Sequence, residues 1–100
     1  MMAIKVCKFG GSSLADANQF RKVKQIVLSD PTRRFVVPSA PGKRTADDQK
    51  ITDMLYRCYR MAQRNEPYAE LFQCVIAERF VGIAKELELE FDVQPLLDEA

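Results

Sequence analysis

The chain has 100 residues, a formal net charge of +1 and no histidine. That length suits one small domain or a piece of a larger one, and the near-zero charge gives no general reason to bind nucleic acid or a membrane surface. The lack of histidine excludes histidine-based catalysis and metal ligation, and no apolar run approaches a membrane helix or a signal-peptide core, so the chain reads as cytoplasmic.

Residues 3–9, AIKVCKF, alternate Ile4, Val6 and Lys8 against Lys5, Cys7 and Phe9, which predicts a strand. Gly10, Gly11, Ser12 and Ser13 follow directly. Asp16 is placed to cap a helix, and Gln19, three residues on, completes a capping box. Phe20, Val23, Ile26 and Val27 then recur at helical spacing, with Lys22, Lys24 and Gln25 on the solvated side. Pro31, in SDPTRR, stops this helix because it cannot continue one. RFVVPSA predicts a second strand over residues 34–39.

Strand, helix and strand within about 37 residues make a βαβ unit, with parallel strands and a right-handed crossover. The next segment, SAPGKRTADDQK, has Pro, Gly and charge without apolar periodicity, so it is a loop. Loops at the carboxyl ends of parallel strands are where open α/β sheets bind ligands. Further on, Ile51, Met54, Leu55, Cys58, Met61 and Ala62 form one helical stripe that ends at RNEP. Leu71, Phe72, Val75, Ile76, Phe80, Ile83 and Leu87 form a second, on a helix of about five turns. DVQPLLDEA starts a last helix. Two strands are too few to cover two long amphipathic helices, and their edges would stay unpaired. The pattern is therefore that of the opening of a larger α/β domain.

Cys7, Cys58 and Cys74 have neither zinc-site nor redox spacing and read as reduced core residues. Asp47 and Asp48, beside Lys43, Arg44 and Lys50, read as a solvated charge cluster rather than a metal pair. In YRCYR, arginines alternate with aromatics, but on a helix Cys58 and Leu55 face inward while Arg57, Arg60 and Arg64 face water. A nucleic-acid reading is rejected on that ground.

The chemistry concentrates at KFGGSS. Glycines between a strand and a helix let the backbone approach an anion, and the N–H groups there suit phosphate. Lys8 adds a point charge that can neutralise a transferred phosphoryl group, and Ser12 and Ser13 add hydroxyl donors. The stretch is neither G-x-G-x-x-G nor a Walker A loop. From spacing alone, a tight turn explains the two glycines as well as a phosphate cradle does.

KFGGSS, then VVPSAPGK, then KITDMLY, in that order, resemble the aspartate kinases of the amino-acid kinase family. The resemblance covers essentially the whole chain but only the N-terminal part of the longer family enzyme. It implies an α/β fold: the N-terminal part of the three-layer amino-acid kinase fold, with a parallel-type sheet. Residues 1–100 would be the N-terminal portion of the catalytic domain, without the remainder of that domain or the ACT regulatory domains. The implied reaction is phosphorylation of the L-aspartate side-chain carboxylate by ATP with Mg2+, giving 4-phospho-L-aspartate, the first step toward lysine, threonine and methionine.

By resemblance, Lys8 is catalytic and binds phosphate together with Gly10, Gly11 and Ser12, while Ser39 and Thr52 contact the aspartate substrate. No residue is assigned to a metal. Plain structural roles compete: Lys8 as a strand-end lysine, Ser39 as a loop cap, Thr52 as a helix N-cap. The full-length enzyme is expected to be a homo-oligomer binding neither nucleic acid nor membrane, and the isolated chain to be inactive. The alternatives are a non-enzymatic binding or regulatory fragment, and an amino-acid kinase acting on another acid. Pro38 stands where many family members have a β-branched residue, and it is expected to disturb strand pairing next to Ser39.

Overall fold

A computed structural model describes residues 3–100. The chain divides into two compact units, one ending at Lys50 and the other beginning at Ile51.

In the first unit, strand β1 (Lys5–Phe9) leads through a 3-10 turn (Gly11–Leu14) into helix α1 (Ala17–Leu28) and then strand β2 (Arg33–Pro38). The two strands pair in parallel, as a βαβ unit requires, with Val6 opposite Phe35, Lys8 opposite Val37 and Phe9 opposite Pro38. Both strands lie within a residue or two of their predicted bounds. The ladder shifts between Lys5 and Val6, where β2 carries one extra residue.

Asp16 caps α1 as its sequence position predicts: its Oδ1 accepts from the Gln19 backbone N–H at 2.9 Å. The helix ends at Leu28, ahead of Pro31, and the Arg33 guanidinium donates to the Ile26 carbonyl at its C-terminal end and to Ser29 Oγ. The buried centre of this unit is small, with Leu14, Ala15 and Ala17 almost fully enclosed.

Pro38 does not disturb the pairing. The Ser39 N–H donates to the Phe9 carbonyl at 3.0 Å, so the ladder with β1 continues past the proline. Successive N–H groups of a strand point to opposite edges, and the donor that Pro38 lacks belongs to the edge away from β1.

The connection from α1 to β2 is held by one carboxylate. Asp30 Oδ1 accepts from the Thr32 N–H at 2.9 Å and the Thr32 hydroxyl at 2.6 Å, while Oδ2 accepts from Lys5 Nζ at 2.7 Å. The Lys5 ammonium first, and the two Thr32 donors after it, hold the Asp30 carboxyl well below the usual carboxylate range.

In the second unit, α2 (Ile51–Gln63) buries Ile51, Met54 and Cys58, and packs on the segment Phe72–Ala77. Leu55 is half exposed, and Ala62 is exposed as well, which corrects the expected stripe. The inward seam follows i, i+3 and i+7, and is too narrow to include the neighbouring i+4 position. Arg57, Arg60 and Arg64 are exposed as expected.

The long second stripe is continuous from residue 69 to 86. It is built as α3 (Ala69–Leu71), a π-helical segment (Phe72–Ala77) and α4 (Glu78–Glu86). The π segment has no counterpart in the sequence reading, because i→i+5 bonding leaves no mark in a 3.6-residue pattern. Of the three cysteines only Cys58 is buried; Cys7 is half-buried and Cys74 is exposed. Cys74 stands two residues before the buried Ile76, roughly opposite it around the helix, so position overrides the preference of its residue type. Helix α5 (Gln94–Glu99) closes the chain. No helix among the described residues is long and apolar enough to cross a membrane.

Helix α2 and helix α4 end in the same way. Asn65 and Glu88 both take φ near 57°. At the first end, the Asn65 N–H reaches the Ala62 carbonyl and the Glu66 N–H the Met61 carbonyl. At the second, Glu88 and Leu89 repeat this on Lys85 and Ala84. Asparagine tolerates the left-handed region, whereas glutamate has no such allowance.

Two expectations follow. Replacing Glu88→Gly relieves the left-handed strain and raises unfolding stability by about 0.5–1 kcal/mol, measured by urea titration. Asp30→Asn lowers the melting temperature at pH 7. A depressed carboxylate stabilises the fold above its unfolded pKa and loses that contribution as pH falls, so the gap between variant and parent closes from about pH 4 downward.

Candidate functional site

The carboxyl ends of β1 and β2 lie side by side, and five of the six singled-out residues fall there. Lys8 is registered beside Val37, and Ser39 follows Pro38 directly, so the pleat puts Lys8, Val37 and Ser39 on one face of the pair. Gly10, Gly11 and Ser12 continue from β1 into the 3-10 turn. Thr52 belongs to the second unit. It is the second residue of α2 and is exposed, so it lies inside the helix rather than at its N-cap. With Leu55, Tyr56 and Tyr59 it lines an open, largely apolar groove on that helix.

The two lysines of β1 differ in a way that matters. Lys5 is neutralised by Asp30. Lys8 is exposed and makes no ion pair or hydrogen bond among the described residues. One positive charge is therefore structural, and the other is left at the end of a strand with nothing among the described residues to balance it.

The two glycines also differ. Gly10 is extended, at φ −75° and ψ 173°, a conformation open to any residue, and a Cβ built on it would meet nothing within 4 Å. At Gly11 a Cβ would lie 3.1 Å from the Ala40 carbonyl oxygen and 3.2 Å from Gly42 Cα. The contact is mutual: a Cβ on Gly42 would lie 2.7 Å from Gly11 C and 2.9 Å from Gly11 O. The Gly42 N–H donates to the Gly11 carbonyl at 2.8 Å. Two backbones thus touch directly, and the loop after β2 lies on the turn after β1.

Gly42 is the residue that sequence reasoning missed. APG after the second strand carries no apolar periodicity, and its one signal in the sequence is a second glycine at a second strand end. Pro41 and Gly42 are buried although they belong to that loop. Farther along it, Asp48 accepts from the Arg44 backbone N–H at 2.9 Å and from its guanidinium at 2.6 and 3.0 Å. The charge cluster is thereby resolved into a closed turn.

Bare backbone and a lysine without a partner among the described residues thus stand together at the carboxyl end of parallel strands, where open α/β sheets bind ligands. The chain is homologous to the aspartokinases. It is 50% identical over 86 residues to Aspartokinase 3 of Bacillus subtilis, covering 86% of this chain and 19% of the relative. An aspartokinase of Chlamydia muridarum is 29% identical over 94 residues, covering 92% of this chain and 18% of the relative. Among solved structures, an aspartate kinase of Clostridium acetobutylicum matches with a TM-score of 0.92 and 47% identity, over 98% of this chain and 22% of that one. The chain thus spans about a fifth of the length of the relatives it matches. No protein-family model matches it.

The glycine geometry separates two substitutions that look alike in sequence. Gly10→Ala is expected to leave unfolding stability unchanged or raised by up to about 1 kcal/mol, since its φ and ψ suit alanine. Gly42→Ala must push two backbones apart and is expected to cost about 1–3 kcal/mol. Urea unfolding of both variants decides the matter.

Proposed function

We propose that these residues form the N-terminal portion of the catalytic domain of an aspartate kinase, and that they hold the transferred phosphate and the aspartate acceptor. The observation that carries this reading is Gly10. A Cβ at its neighbour Gly11 would meet Ala40 and Gly42, whereas a Cβ at Gly10 would meet nothing within 4 Å among the described residues. Unlike Gly82, which has the same open space in the middle of a helix, Gly10 stands at the strand end two residues from Lys8, where a ligand can come against bare backbone.

In this reading Lys8 neutralises charge on the phosphoryl group in transfer, and Gly10, Gly11 and Ser12 hold phosphate oxygens through backbone and hydroxyl donors. Ser39, on the face shared with Lys8, contacts the aspartate. An aspartate carboxylate has a reference pKa of about 3.9 and is already ionised at neutral pH. It needs no general base, so a chain without histidine suffices. What the reaction requires is that two anions be brought together in line, which calls for cations and N–H donors.

ATP would supply the phosphoryl group, and Mg2+ would offset charge that develops in the transfer. No cluster of three or more histidine, cysteine, aspartate or glutamate side chains suited to a metal ion occurs among the described residues. Asp48 is taken up by Arg44. No step is therefore assigned to a metal held by this chain.

Two outcomes test the reading. The 100-residue chain, which spans about a fifth of the length of its relatives, is expected to release no ADP above background in a coupled assay with ATP, Mg2+ and aspartate. The Bacillus subtilis relative with its matching stretch replaced by this chain is expected to phosphorylate aspartate, and Lys8→Met in that protein to lower kcat by about 100- to 1000-fold. Equal turnover with Lys8→Met would remove the assigned role.

A further inference from the structure

The loop after β2 is tied to the strand end at two points and stiffened between them. Its first residue, Ser39, donates its N–H to the Phe9 carbonyl at 3.0 Å. Its fourth, Gly42, donates to the Gly11 carbonyl at 2.8 Å, with no space for even a methyl group between the two backbones. Between them stands Pro41, buried and with φ fixed by its ring. The two tie points flank Gly10 on the opposite strand end: Phe9 precedes it and Gly11 follows it.

A loop held in this way has little freedom to slide relative to the glycine turn. We infer that Gly42 is a positioning residue: through its backbone contact with Gly11 it sets the separation between Ser39 and the phosphate-holding turn. The inference rests on the reading that Ser39 faces the acceptor and Gly10 to Ser12 the phosphate. In that case the Gly42–Gly11 contact fixes the approach distance of the two reacting groups, without Gly42 touching either. The ångström scale matters here, because a displacement of about 1 Å in a reacting pair can cost about 100-fold in rate.

The prediction is specific in its kinetics. In the complete enzyme carrying this sequence, Gly42→Ala is expected to lower kcat by about 10- to 100-fold, with KM for ATP and for aspartate each changed less than about threefold. Rates are taken per folded molecule, well below the melting temperature, so lost stability alone moves nothing. Gly10→Ala serves as the contrast, since a methyl group there enters the ligand's space and is expected to raise KM for ATP. Gly82→Ala, in α4 with open space at its Cβ, is expected to change neither constant.

If Gly42→Ala folds too poorly to assay, amide exchange on the unsubstituted chain still tests the contact. A rise in KM for ATP with kcat kept would make Gly42 a direct ligand contact and overturn the inference. Unchanged constants in folded enzyme would overturn it as well. Failure of the unmodified enzyme to phosphorylate aspartate would instead defeat the functional reading. Amide exchange on the 100-residue chain gives a check independent of activity: the Gly42 and Ser39 N–H groups are expected to be protected, and Gly42→Ala to release both. Fast exchange of both in the parent chain would remove the contact on which the inference stands.

Discussion

At Gly11 and Gly42 the chain packs main chain against main chain, closer than any side chain permits. Such a contact gains little energy by itself, but it is unforgiving in geometry, because repulsion between atoms in fixed peptide planes rises steeply. The ends of β1 and β2 would be joined by their ladder alone if the contact were absent. With it, the loop that follows β2 is laid over the turn that follows β1. The ladder places Lys8 and Ser39 beside each other, and the glycine contact adds the placement of Gly42 on the turn that follows Gly10. A strand pair sets direction and register, and the glycine contact sets how the two loops meet beyond it.

The charges around this end are divided with equal consequence. Lys5 and Lys8 are three residues apart on one strand and therefore on opposite faces. On its own face Lys5 meets Asp30, whose carboxylate also closes the turn ahead of β2. That carboxylate thus serves chain reversal and charge balance together, and it is consumed by them. Lys8 has no charge partner among the described residues, which costs little in water. Beside it, Val6, Phe35 and Val37 leave apolar surface uncovered on the same face of the strand pair. Two strands of five and six residues cannot enclose such surface.

Much of this was legible in the chain itself. Alternation at residues 3–9, the mostly apolar run at 34–39, the capping aspartate before Ala17 and the terminating RNEP stretch all mark local rules that the fold obeys. The resemblance in KFGGSS, VVPSAPGK and KITDMLY pointed to the aspartokinases, to which the chain is homologous. Where the reading failed, it used periodicity or residue type where a longer-range fact decided. Leu55 fits the stripe of α2 by type, yet the buried seam is narrower than the stripe. Cys74 is apolar by habit and exposed by position. Pro38 lacks a donor, but on the edge of β2 that β1 does not use.

What the sequence determined by itself was therefore local: which segments are strands and helices, where they stop, and that a lysine and bare backbone stand together at a strand end. Propensity, capping and spacing act over a few residues and can be read from a few residues. Only the tertiary structure decided that the two glycines at residues 10 and 11 do different work, one turned to open space and the other pressed on Gly42 thirty-one positions later. It also decided that Lys5 is paired and Lys8 is not. Both distinctions arise from atoms that meet through space after the βαβ unit closes, and no pattern along the chain records the distance between them.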